Sequence, residues 1–147
     1  MSAARKPAIA LVRLVIPAGA AKPSPPVGPA LGQHGVNIMM FCKDFNAKTA
    51  EHKAAVPVPV EIAVYADKTF TWVMKTPPTS YFVAKVAGIA KGSMKPGHSV
   101  AGSMSAKHAY EIAKVKATDS SMAHLSLEAI TRGVIGTARS MGVVVTK

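Results

Sequence analysis

Cysteine is almost absent from this chain: Cys42 is the single one in 147 residues. No intramolecular disulfide can form, and a reducing interior suits such a protein. Cys42 follows Met39, Met40 and Phe41, which marks a buried apolar site rather than a reactive thiol. A thiolate-rich metal centre is excluded, and the histidines (His34, His52, His98, His108, His124) are scattered with no H-E-x-x-H spacing. Acidic side chains are also scarce, seven in all with none before Asp44. Asp44 and Glu51 lie in a polar stretch and form no dyad, so no catalytic residue, metal or cofactor is expected. Phe70 and Trp72 share one face of a strand; they fit a base-stacking platform less well than the buried face of a sheet. Long apolar runs are missing too. None approaches the roughly 18–20 residues of a membrane span, and Ala8–Ile16, behind Arg5 and Lys6, is too short for a secretory leader. Basic and apolar residues do not segregate into one long amphipathic helix, so no membrane partner is expected.

What is abundant is apolar side chain and positive charge. Apolar residues make up 49% of the sequence, enough to build a core. The net charge is +11, which calls for a polyanionic partner, nucleic acid first. That charge is uneven: residues 75–147 carry ten basic and three acidic side chains, against eight and four in residues 1–74.

The periodicity changes at the same joint. Ala8–Ile16 is rich in β-branched residues and stops at Pro17, which predicts a strand. A Pro/Gly loop follows, then a helix from Val36 to about Asn46 with Ile38, Cys42 and Phe45 on one stripe. Pro57–Tyr65 and Lys68–Lys75 predict a hairpin turned at Ala66-Asp67-Lys68. Beyond Thr76-Pro77-Pro78 helical spacing takes over. Phe82, Val86, Ile89 and Ala90 mark a helix ending near Lys91-Gly92; residues 93–103 read as a loop. Ser105 caps a second helix to about Lys116, with Ala109, Ile112 and Ala113 inward. A third runs from Ser126 to Met141 with Leu127, Ile130, Val134 and Met141 inward and Gly142 as its stop. Val143–Val145 is a short, extended tail. The expected class is α+β: an N-terminal β-α-β-β domain (1–74) with an antiparallel sheet, a proline hinge (75–78), and a C-terminal all-α domain (79–147) with a three-helix core.

Three segments stand out. Arg132, Gly136, Arg139 and Ser140 share the outer face of the last helix, which holds two glycines although each costs roughly 1 kcal/mol relative to alanine. Either that face packs closely on a neighbouring element, or it takes RNA, whose shallow minor groove admits a bare helix backbone between phosphate-binding arginines. Lys91-Gly92-Ser93-Met94-Lys95-Pro96-Gly97 either offers backbone donors and charge to phosphates or is a mobile, solvated loop. Pro23-Ser24-Pro25-Pro26-Val27-Gly28-Pro29-Ala30-Leu31-Gly32-Gln33 has neither a P-loop nor a dinucleotide fingerprint, and fits a rigid recognition surface best.

PSPPVGPALGQHGVNI followed by FCKDFNAKT, and IGTARSMG near the C-terminus, resemble the large-subunit ribosomal protein eleven family, the stalk-base protein of the ribosome. The similarity runs from about Val12 to Val145. It implies a non-enzymatic protein that binds the GTPase-associated region of large-subunit rRNA, beside neighbouring stalk proteins, with translational GTPases as transient partners. Carried over residue by residue, the rRNA contacts would be Lys91, Gly92, Ser93, Lys95, Arg132, Gly136, Thr137, Arg139 and Ser140. The cleft where factors dock and thiopeptide antibiotics bind would be faced by Pro23, Pro25, Pro26, Gly28, Pro29, Gly32 and Gln33. Ser99–Ser105 is small and neutral where bacterial members carry more charge. TSYF (79–82) and KHAYEIA (107–113) look closer to mitochondrial members, which implies a mitochondrial ribosome, with bacterial cytoplasm or plastid as alternatives. The competing classes are a non-ribosomal RNA-binding or RNA-modifying factor, which would need a convergent titratable cleft, and a three-helix DNA-binding protein, for which the last helix lacks Asn and Gln.

Overall fold

The computed structural model describes residues 7–147, so Arg5 and Lys6 lie outside the described residues. The chain divides into two compact units, one ending at Lys75 and the other running from Thr76 to Lys147.

In the first unit three antiparallel strands, β1 (Ala8–Pro17), β2 (Pro57–Tyr65) and β3 (Phe70–Met74), lie in the order β1-β2-β3. Strand alternation sets the buried face: every second residue of β2, from Val58 to Val64, points into the core. The register places Val12, Ile62 and Trp72 in one row across the sheet. Against that face packs helix α2 (Ile38–Lys48), capped by Asn37, whose Oδ1 accepts the Met40 N–H. Phe41 and Phe45 are fully buried, and Phe41 meets Phe70 and Trp72 edge-on with centroids 6.1 and 5.7 Å apart. Phe70 and Trp72 are therefore core, not a platform for bases. The expected stripe holds at Cys42 and Phe45, with Ile38 packed against it, but the sequence reading omitted Phe41, the residue at its centre. Burial raises the Cys42 thiol above its ordinary pKa, which keeps it protonated and inert.

One correction falls on the Pro/Gly segment. It is not loop throughout, since Val27–Gly32 forms a short helix, α1, that seats Val27 and Leu31 in the core. Pro29 is tolerated there because the first turn of a helix needs no N–H from it. The unit is β-α-α-β-β.

The second unit is built on three helices: α3 (Thr79–Ala87), α4 (Ala106–Ala117) and α5 (Leu127–Ser140). Their core is Val83, Ala109, Ile112, Ala113, Ile130, Val134 and Ala138. The unit expected to be all-helical also carries a two-stranded parallel sheet, β4 (Gly102–Ser105) with β5 (Val143–Thr146). The tail thus pairs with the end of what read as a loop. Helix α3 stops earlier than its periodicity suggested. Gly88, at φ 67°, caps it in the left-handed conformation, and Val83 rather than Val86 is the buried position. Helix α4 begins as expected at Ser105, whose Oγ accepts the Lys107 N–H at 3.3 Å while its own N–H donates to His108 Nδ1 at 3.3 Å.

Candidate nucleic-acid interface

Helix α5 begins at a cap on Ser126, whose Oγ accepts the Ala129 N–H at 3.3 Å. Its buried edge is Ile130, Val134 and Ala138, which turns Arg132, Gly136, Arg139 and Ser140 to solvent. A Cβ built on Gly133 or on Gly136 meets nothing within 4 Å. No element of this unit lies over the two glycines, so internal close packing does not account for them. What they leave is a strip of bare helix backbone flanked by guanidinium groups.

The charges on this strip differ in how they are held. Arg132 Nη2 pairs with Glu128 Oε1 at 2.6 Å one turn back, with both side chains about three-quarters exposed (78% and 73%). An exposed pair of this kind contributes little, so a phosphate can take Arg132 from Glu128. Arg139 has no acidic partner among the described residues and is exposed. Ser140 Oγ donates to Thr137 O at 2.7 Å and Thr137 Oγ1 to Gly133 O at 3.0 Å, so each hydroxyl keeps only lone pairs for another molecule. Thr137 is half-buried and lines a shallow hollow with Thr79, Met122 and Gly133, on a flank of the helix rather than its outer centre.

The Lys91–Gly97 loop is drawn to the C-terminal end of α5. Ser93 N–H donates to Met141 O at 2.9 Å, and Ala101 N–H to Gly142 O at 2.8 Å. Gly142 sits at φ 74°, and a Cβ there would come within 2.6 Å of Ser93 Cβ and 3.0 Å of Ser99 O. Only glycine permits both that backbone and that approach. The loop is itself tied by hydrogen bonds: Ser93 Oγ to Ser99 Oγ, Lys95 N–H to Ser93 Oγ at 3.1 Å, and Ser99 N–H to Lys95 O at 3.0 Å. Lys91 and Lys95 remain exposed at its surface, with Met94 beside them at 89% exposure. Loop and helix face therefore belong to one structure. Gly92 and Ser93 are half-buried and act within it chiefly as a fastening to Met141.

Between the loop and β5 runs a groove of about 480 Å³ lined by His98, Val100, Ile135, Arg139, Val143 and Val145, among others. The groove was not visible from the sequence, because part of its wall is the tail, which was not assigned to a sheet.

In the first unit Pro23, Pro25, Pro26, Pro29, Gly32 and Gln33 are exposed and Gly28 is half-buried. Gly28 is required where it stands: a Cβ would lie 2.6 Å from Pro23 O. The segment leading into these residues is strapped to α2. Asn46 accepts the Ala21 N–H at 3.0 Å and returns a hydrogen bond to Ala21 O at 3.1 Å, while Thr49 Oγ1 accepts the Gly19 N–H at 3.1 Å. This surface is fixed by side chains that the sequence reading did not single out.

Residues 12–70 match the family model "Ribosomal protein L11, N-terminal domain", and residues 75–145 match "Ribosomal protein L11, RNA binding domain". The chain belongs to the ribosomal protein L11 family. It is a structural, non-enzymatic ribosomal protein of the large subunit, and its L11 RNA-binding domain includes α5, the Lys91–Gly97 loop and the β4–β5 pair.

Proposed function

We propose that this L11-family protein binds the GTPase-associated region of large-subunit rRNA at the stalk base. The single observation that carries the contact surface is the open strip over Gly133 and Gly136 between Arg132 and Arg139. Glycine in an exposed helix interior lowers stability and gains nothing inside this unit. A backbone that another molecule must approach closely explains it, and the shallow minor groove of RNA is such a partner. Arg139, Arg132, Lys91 and Lys95 supply phosphate contacts, Gly136, Thr137 and Ser140 the close contact with sugar edges, and Gly92 and Ser93 hold the loop in register.

The exposed proline surface from Pro23 to Gln33, carried by the other domain, is the face offered to translational GTPases and neighbouring stalk proteins. Its support is its rigidity and the family resemblance of its sequence. The L11 domains make the protein ribosomal; TSYF and KHAYEIA favour a mitochondrial ribosome over a bacterial or plastid one.

The test is binding of the full chain to a GTPase-associated rRNA fragment and to a scrambled hairpin of equal length, each at two salt concentrations. Selective binding to the folded fragment, with affinity falling as salt rises, is the expected result. Equal, weak binding to both RNAs would reduce the positive charge to a nonspecific footprint and remove the proposed target.

A further inference from the structure

The joint between the units was expected to span residues 75–78, with the prolines as a semi-stiff hinge, but the hydrogen bonds divide that segment sharply. Lys75 belongs to the first unit: its N–H donates to Pro59 O at 2.9 Å, extending the sheet, and its Nζ pairs with Glu61 Oε1 at 2.7 Å. Thr76 belongs to the second. Its N–H donates to Asp119 Oδ1 at 2.8 Å and its Oγ1 to Asp119 Oδ2 at 2.7 Å, while Lys116 Nζ donates to Thr76 Oγ1 at 2.8 Å. Lys116 and Asp119 pair at 2.7 Å with side chains only 10% and 5% exposed. The prolines are committed as well: Pro77 O lies 3.5 Å from Lys116 Nζ, and Pro78 O accepts the first N–H groups of α3 from Tyr81 and Phe82.

A peptide group is planar, so a bound N–H fixes the orientation of the whole plane that carries it. The plane ending at the Lys75 N–H is fixed by Pro59, and the plane ending at the Thr76 N–H is fixed by Asp119. Between them only two soft torsions remain, φ and ψ of Lys75. We infer that the two units pivot at the Cα of Lys75, and that Thr76-Pro77-Pro78 travels rigidly with the RNA-binding domain, clamped by the buried Lys116–Asp119 pair. The clamp turns a four-residue linker into a one-residue swivel. The inference rests on the division into two units and not on RNA contact, so it stands or falls apart from the proposed rRNA target.

Amide residual dipolar couplings of the full chain without RNA test it, because Lys75 and Thr76 each carry a reporter N–H. The Lys75 coupling should fit the alignment tensor of β1–β3, and the Thr76 coupling that of α3–α5, the two tensors being different. In Asp119→Ala the Thr76 coupling should leave the tensor of α3–α5 while the helices keep theirs. Thr76→Val, which keeps the N–H bond to Asp119, should leave the Thr76 coupling on that tensor and covers the case in which Asp119→Ala does not fold. One common tensor for both units would mean there is no pivot. A Thr76 coupling averaged towards zero in the unsubstituted protein would mean that the linker is loose and the clamp is not engaged. Either result overturns the inference.

Discussion

At the scale of single residues, glycine carries opposite consequences at two places in one helix end. Gly136 faces open space, so a methyl group there clashes with nothing in the chain. Gly136→Ala is expected to stabilise the protein by about 0.5–1 kcal/mol in a denaturant titration, while weakening RNA binding. Gly142 is held at φ 74° against Ser93 and Ser99, and Gly142→Ala is expected to destabilise by about 1–3 kcal/mol. A stabilised Gly142→Ala would mean that the loop does not pack on the helix as described. Asp119 has a pH signature. Burial alone would raise its pKa, but the hydrogen bonds from Lys116 and Thr76 outweigh burial and hold it below the ordinary value of 3.8. A depressed carboxylate pKa adds stability that is complete above the unfolded value, about 3.9, and is lost as pH falls through the folded value. Stability should therefore drop on acidification below about pH 4, and Asp119→Asn should remove part of that slope while lowering stability at neutral pH. Unfolding midpoints measured from pH 6 down to pH 2 would show it.

At the scale of elements, what could be read from the sequence depended on how local the deciding interaction is. Helix α4 was legible to the residue at its start because its cap, Ser105, lies beside it in the chain, and Ala109, Ile112 and Ala113 recur at helical spacing. Helix α5 was plain in its extent and in Ile130 and Val134; Ala138, a fully buried position, was not named, and Leu127 and Met141 are only partly buried. The end of α3 was missed because Ile89 and Ala90 continue the period past Gly88, and the left-handed cap won over periodicity. The parallel β4–β5 pair could not be seen, since its strands are four residues each and pair across about forty intervening residues. Helix α1 was hidden by its composition, with glycine and proline supplying half of VGPALG, although burial of Val27 and Leu31 holds it in place. Of the candidate interface, Gly136, Arg139, Lys91 and Lys95 were legible from residue type; the groove and the Thr76 clamp were not. The packing of the first unit has its own check. Phe41→Ala removes a ring touching Phe45, Phe70 and Trp72, and is expected to cost about 3–5 kcal/mol, with loss of tertiary structure in that unit.

For the whole molecule, the net charge of +11 sets the physical regime in which the protein meets RNA. Affinity should fall linearly in log salt with a slope set by the phosphates neutralised, and Lys95→Ala or Arg139→Ala should each flatten that slope by close to one. The buried Lys116–Asp119 pair removes one of the three acidic side chains of the RNA-binding domain from its surface. Its other two, Glu111 and Glu128, are exposed and paired with Lys114 and Arg132. Arg139, Lys91 and Lys95 are among the cations left for an external anion. The bare face of α5 is the surface proposed for RNA, and the affinity of Gly136→Glu for the folded rRNA fragment is its sharpest check, with helical content and unfolding midpoint recorded beside it. The expected result is a protein that folds as before and binds at least tenfold more weakly. Unchanged folding with unchanged affinity would move recognition away from this helix and overturn the proposal.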